Sequence, residues 1–208
     1  MKTFASAVCA GALLVSGSVQ AQFSQLRVER VNNQNRVVGT TWRVYAVMQQ
    51  EGDILDAVYG DKNHPMQISS TAPFYQHPKG GPLASAVMRM DIDRDPTLRF
   101  DSWFTIGADD NYMNSVTPFI VEFGEFEKGN TFYTEDGAWF VTPDKRQAMA
   151  PENKEILLMQ LTSTGKIDGV INLHGRTRGI TDATGNVVGG NAQIQETGLR
   201  FTCDPAGR

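Results

Sequence analysis

The chain has 208 residues, with 19 lysines and arginines against 23 aspartates and glutamates, which gives a net charge of −4 at neutral pH. No run of basic residues is present, and this argues against a nucleic-acid-binding protein, because phosphate binding needs concentrated positive charge. The length is sufficient to bury a substantial apolar core.

The chain begins with a predicted secretory signal peptide at 1–21. Lys2 precedes an apolar stretch over 4–15, and small and polar residues then lead to Ala21. This order is typical of an export signal, so we expect cleavage to leave 22–208 as a single β-rich domain. A membrane-spanning helix needs about 20 apolar residues in a row, and no later segment comes near that length. We therefore expect a secreted protein, extracellular or periplasmic, without a membrane span.

Only one cysteine, Cys203, follows the predicted signal peptide, so no intrachain disulfide can form in the mature protein. Cys203 shares a strand face with Leu199 and Phe201, and this favours a buried thiol in the core. The alternative is an exposed thiol that joins two chains.

Alternation of apolar and polar residues between turn sequences recurs along the chain, whereas capped stripes of helical period do not. We predict strands, in chain order, at 26–31, 40–48, 54–60, 65–70, 97–107, 118–123, 137–142, 155–163, 166–174 and 192–203. The segment 150–161 stays open, because Pro151 followed by acidic residues would also begin a short helix. The turn between 155–163 and 166–174 predicts a tight hairpin.

Many strands separated by short turns predict an all-β fold, specifically a two-sheet antiparallel sandwich. A βαβ fold would need helices of about a dozen residues between the strands. A partly closed barrel is the alternative. Trp42 and Trp139 each share a strand face with apolar residues and are predicted to lie in the core.

Trp103 is on the polar face of the predicted strand 97–107, together with Asp101. One interpretation is that the loop at 74–82, FYQHPKGGP, covers the indole, whose N–H then donates to Asp101 or to a carbonyl. The others are an exposed platform for a ligand and a β-bulge that flips the alternation. Trp103, Tyr75 and Asp101 are therefore the candidate ligand-binding residues.

The sequence DIDRDP places Asp91, Asp93 and Asp95 at alternate positions, and a loop can turn such carboxylates around Ca²⁺. The EF-hand pattern fails, because Pro96 replaces the required glycine. A calcium site would need distant additional ligands, and the alternative is a solvated acidic turn.

No catalytic residue is predicted. The chain lacks a Gly-x-Ser-x-Gly nucleophile motif and a phosphate-binding glycine loop, and its three histidines show no paired spacing. Acidic residues are abundant, so a carboxylate pair for glycoside hydrolysis stays an open alternative.

Four short sequences carry a resemblance to a known family. FYQHPKGG, DSWFTIG, DGAWFVTPDKRQ and GVINLHG together resemble a family of uncharacterised secreted, β-rich proteins of bacteria and algae with no known activity. The resemblance covers 40–175. It implies an extracellular location and gives no catalytic residue to transfer.

These observations predict an exported, non-enzymatic β-sandwich that acts by binding. We expect an extracellular matrix, adhesion or ligand-binding component, whose partner is an extracellular glycan or a protein surface. The alternatives are a secreted carbohydrate-active hydrolase with a carboxylate pair, and a self-assembling structural subunit that associates through edge strands or Cys203.

Overall fold

The computed structural model describes residues 23–207, so the predicted signal peptide at 1–21 lies outside the described residues. The described part is dominated by antiparallel strands in two packed sheets, and neither sheet closes into a barrel there. The predicted all-β sandwich is confirmed. No helix within 23–207 has the length and apolar character that crossing a bilayer requires.

The smaller sheet has four strands in the order β1, β2, β9, β5. Its strands are β1 (Phe23–Val31), β2 (Thr40–Met48), β9 (Glu155–Ser163) and β5 (Trp103–Phe104). Alternation along β2 turns Val44 and Ala46 into the core and leaves Arg43 and Tyr45 on the outer face. The outer face of this sheet carries the candidate site.

The larger sheet has seven strands around the central strand β10 (Ile167–Arg176). One edge of β10 pairs with β13 (Gln193–Cys203), and the other edge is shared by two strands. The remaining strands are β3 (Ile54–Gly60), β4 (Met66–Ser70), β6 (Thr117–Phe119), β7 (Phe132–Thr134) and β8 (Gly137–Phe140). A separate two-stranded hairpin is formed by β11 (Gly179–Thr181) and β12 (Val187–Gly190).

The apolar core lies between the two sheets and is rich in aromatic rings. Phe104 stacks on Trp139 with ring centroids 4.7 Å apart, and Phe126 lies 4.5 Å from Phe104 on another side. Trp42 and Trp139 are both buried, as predicted. Cys203 is fully buried, and its burial raises the pKa of the thiol to about 12. The prediction of a core thiol is confirmed, and the alternative of an exposed thiol is wrong.

The predicted strand over 97–107 is wrong. Asp95 caps a 3-10 helix at Pro96–Phe100, because its side chain accepts the amide of Thr97 and proline occupies the first helical turn. The chain extends again only at β5, Trp103–Phe104. The apolar spacing around Leu98 therefore arises from a tight helix and not from strand alternation.

The predicted hairpin after residue 163 is also wrong. β9 and β10 lie in different sheets, so the short turn between them carries the chain from one layer of the sandwich to the other. The strand reading of 155–163 is confirmed with the predicted bounds. Short helices form at α1 (Arg89–Arg94) and α2 (Gly124–Glu127), with further 3-10 turns at Ala84–Ala86 and Arg146–Ala148.

Candidate ligand-binding groove

An open groove of about 700 Å³ lies on the outer face of the four-stranded sheet. Its floor is formed by β2 and β9, one wall by the end of β1 and the loop at 32–36, and the other wall by the segment 92–100. A cavity of about 340 Å³ continues it, because Arg43, Asp93 and Asp109 line both. We call the two together the arginine groove. Its charged lining residues are Glu29, Arg30, Arg36, Arg43, Arg89, Asp93, Arg99, Asp109 and Asp110.

The arginine groove carries an excess of unpaired positive charge. Arg36 and Arg99 are exposed and have no carboxylate partner within residues 23–207, and Nε of Arg36 donates to Oε1 of Gln34 at 3.2 Å. Arg30 also lines the cavity, but it lies opposite Trp42 in the register of β1 and β2, so its side chain is on the other face of the sheet. Arg43 pairs with Asp109, and Arg89 pairs with Asp110. The glutamate in the lining pairs with an arginine outside the groove, which leaves one unpaired carboxylate against two unpaired guanidinium groups. This local excess contrasts with the net negative charge of the whole chain.

Arg43 is the most firmly positioned of these arginines. Its Nε donates to Oε1 of Gln160 at 3.0 Å, and Gln160 is only 1% exposed. The Nε2 of Gln160 in turn donates to the carbonyl oxygens of Arg99 and Asp101, each at 2.9 Å. The guanidinium carbon of Arg43 lies 5.9 Å from the centre of the Trp103 ring. A buried amide and an aromatic ring therefore fix the guanidinium at the floor of the groove.

Trp103 supports this floor and is not an exposed platform. Its side chain is 1% exposed and packs in a small cluster with Ala84, Val87, Leu98 and Leu157. The indole lies outside the main core, as its predicted place on the polar face of the sequence pattern indicated. The segment that covers it is 84–98 and not the predicted loop at 74–82. The predicted acceptor for the indole N–H is also wrong, because Nε1 has no hydrogen-bond partner within the described residues.

Asp101 is fully buried and holds the loop that the sequence FYQHPKGG forms. Its Oδ1 accepts the amide of His77 at 2.7 Å, and its Oδ2 accepts the amide of Gly81 at 3.2 Å. A Cβ atom on Gly80 would overlap Oδ2, so the loop wraps the carboxylate closely. Burial raises the pKa of Asp101 to about 7, while the amides of His77, Gly81 and Ser102 act in the opposite direction. A carboxylate in this position anchors a loop and does not reach a ligand.

Tyr75, the third candidate ligand-binding residue, is half-buried and lines neither cavity of the groove. Its ring packs edge-on against His77, with centroids 6.4 Å apart. The Nδ1 of His77 accepts the amide of Lys79, so the proton is on Nε2, which donates to Asp95 at 3.1 Å. Tyr75 and His77 thus belong to the packing of the loop.

The structure does not assemble the predicted calcium site. Asp91 faces Arg94 on α1 at 3.6 Å, Asp95 caps the next helix, and Asp93 lines the groove. Hydrogen bonds from Thr97 and His77 lower the pKa of Asp95. No group of three or more acidic, histidine or cysteine side chains in the described part of the chain converges as a metal ion requires. A helical turn directs these carboxylates apart, whereas the prediction assumed a loop.

The sequence analysis missed Arg43 and Gln160. Alternation along 40–48 does place Arg43 on the polar face, and this was the available signal. Gln160 lies opposite Arg43 on β9, and this pairing depends on a strand register between positions more than a hundred residues apart. Sequence spacing alone gives no such register.

A second polar cluster, also missed, lies on the outer face of the seven-stranded sheet. Asp56 is buried, and its Oδ1 is 2.6 Å from Nδ1 of His174, while its Oδ2 accepts from Arg176 at 3.1 Å. A β-bulge between β3 and β10 brings these side chains together. Through these contacts Asp56 on β3 links two side chains of the neighbouring strand β10.

No family model, curated protein or solved structure matches this chain. The resemblance to a family of secreted β-rich proteins stays a prediction, and the function is argued from the groove itself.

Proposed function

We propose that this protein is an exported, non-enzymatic binding protein that holds an anionic polysaccharide in the arginine groove. The observation that carries the proposal is the pair of arginines without a carboxylate partner, Arg36 and Arg99, in the same groove as the fixed guanidinium of Arg43. Unpaired guanidinium groups bind carboxylate and sulfate oxygens with good geometry, and a fixed arginine loses less freedom when it does so.

The shape of the groove favours an extended ligand. It is open to solvent and runs over strands and loops that are far apart in sequence, from Glu29 on β1 to Asp109 after β5. Tyr45 is half-buried on the floor, and the guanidinium of Arg27 lies over its ring, 4.3 Å from the ring centre. A charged sugar polymer combines repeated anionic groups with an extended shape and so matches the groove.

Export supports the choice of a polysaccharide, because an extracellular or periplasmic protein meets cell-surface and matrix glycans. The predicted signal peptide at 1–21 is the basis for this location. The matrix or adhesion role follows as the use of such binding. Self-assembly through Cys203 loses its basis, since the thiol is buried.

Two double variants with equal charge change test the proposal. Arg36→Gln with Arg99→Gln removes two unpaired groove arginines, and Arg146→Gln with Arg200→Gln removes two exposed arginines that line other cavities. We expect the groove variant to bind polygalacturonate or dextran sulfate about tenfold more weakly by titration calorimetry, since each exposed ion pair contributes up to about 1 kcal/mol. The control variant should lose much less.

Equal losses in both variants would show that binding follows net charge and not the groove. Release of reducing ends from either polymer during the titration would contradict a non-enzymatic function and would favour the hydrolase alternative. Neither polymer binding to the parent protein would overturn the proposal.

A further inference from the structure

Asp109 forms an ion pair with Arg43, the fixed arginine of the groove. Its Oδ2 accepts from Nη2 of Arg43 at 3.1 Å, and its side chain is 51% exposed. It lines both cavities, at the point where they join. An exposed carboxylate with a single arginine partner is held weakly, because the ion pair is well solvated.

The neighbouring Asp110 differs from Asp109 in every respect that matters for movement. Its side chain is 13% exposed, pairs with Arg89 and accepts the amide of Tyr112 at 2.7 Å. Asp110 therefore anchors the loop after Gly107. Asp109 can leave Arg43 by side-chain rotation while the loop keeps its place.

We propose that Asp109 is an internal competitor for the ligand and that the natural ligand is a carboxylated glycan, a polymer of uronic acids. This inference rests on the proposed function of the arginine groove. The carboxylate of Asp109 marks where a ligand carboxylate binds, because Gln160 already occupies Nε of Arg43 and Asp109 contacts Nη2 at the groove. A uronate displaces Asp109 and takes over its contact with Arg43.

Two consequences follow for ligand choice. A carboxylate is planar and matches the position that Asp109 fills, so a uronic acid polymer is preferred to a sulfated polymer of similar charge density. A neutral methyl ester of the same polymer cannot replace the ion pair and binds weakly. Asp109 also repels polyanions until it is displaced, which sets a threshold on the charge of the ligand.

The test compares Asp109→Asn with Asp93→Asn. Both changes remove one carboxylate from the same groove, but only Asp109 contacts Arg43 within the described residues. The probes are polygalacturonate, its methyl ester and dextran sulfate. We expect D109N to bind polygalacturonate about three- to tenfold more tightly than the parent, and D93N to change the affinity by less than about twofold.

An equal increase in affinity for polygalacturonate in D109N and D93N would contradict the role of Asp109 as a competitor, because binding would then depend only on the total charge of the groove. The proposed function would stand in that case. Tighter binding of dextran sulfate than of polygalacturonate by D109N would contradict the proposal that the natural ligand is a carboxylated glycan. Absence of binding by parent and D109N to every probe would overturn the proposed function and this inference together.

Discussion

At the residue scale, Trp103 shows how a buried aromatic side chain can serve a surface site. The indole fills the space between the four-stranded sheet and the segment 84–98, and the guanidinium of Arg43 lies above it. Gln160 holds the same guanidinium from the side. The position of one charge in the groove is therefore set by two buried side chains.

Replacing Trp103 by alanine should lower the free energy of unfolding by about 3 to 5 kcal/mol, as other large-to-small changes at buried positions do. The reason is that the side chain is 1% exposed and its cluster would keep a cavity. Urea denaturation measures this loss. Phe119→Ala is the control, because that ring is 58% exposed and should change stability by no more than about 0.5 kcal/mol. A Trp103 variant that unfolds like the parent would contradict the packing described for this cluster.

At the scale of elements, the loop at 77–81 depends on one buried carboxylate. Asp101 accepts amides from both ends of this loop, and Gly80 has no room for a side chain against it. The alternation of apolar and polar residues over 97–107 predicted a strand around Asp101, whereas the chain forms a 3-10 helix just before it. Asp95, Pro96 and Thr97 were the signals for a helical start, and the alternation of apolar residues masked them.

Stability should fall as pH rises through the pKa of Asp101. Burial raises this pKa from 3.8 to about 7, so the folded state favours the protonated carboxyl. Its contribution is fully present below the unfolded value of 3.8 and is lost as the pH passes about 7. The loss amounts to a few kcal/mol, since one pKa unit corresponds to about 1.4 kcal/mol.

Denaturation of the parent and of Asp101→Asn across this pH range measures the effect. The amide does not titrate, so the slope of stability against pH between 4 and 7 should flatten in the variant, whatever its absolute stability. If the free energy of unfolding changed with pH in the same way in the parent and in D101N, a raised pKa of Asp101 would be contradicted.

At the scale of the whole molecule, composition and alternation predicted the class of the fold but not the site. Strand periodicity depends on nearest neighbours along the chain, so the sandwich, the strand at 155–163 and the buried Cys203 follow from it. The groove depends on register between β2 and β9 and on a helical segment folded over the sheet. These contacts join distant parts of the sequence, and local patterns do not encode them.

The central claim is that ligand binding takes place on the outer face of the four-stranded sheet. The most direct measurement is chemical-shift mapping by NMR on the isotope-labelled mature protein, titrated with an oligomer of galacturonic acid. We predict that the largest shifts fall on Arg43, Tyr45, Arg99 and Gln160, and that they weaken with added salt. Shifts centred instead on the seven-stranded sheet, around His174, would contradict the account.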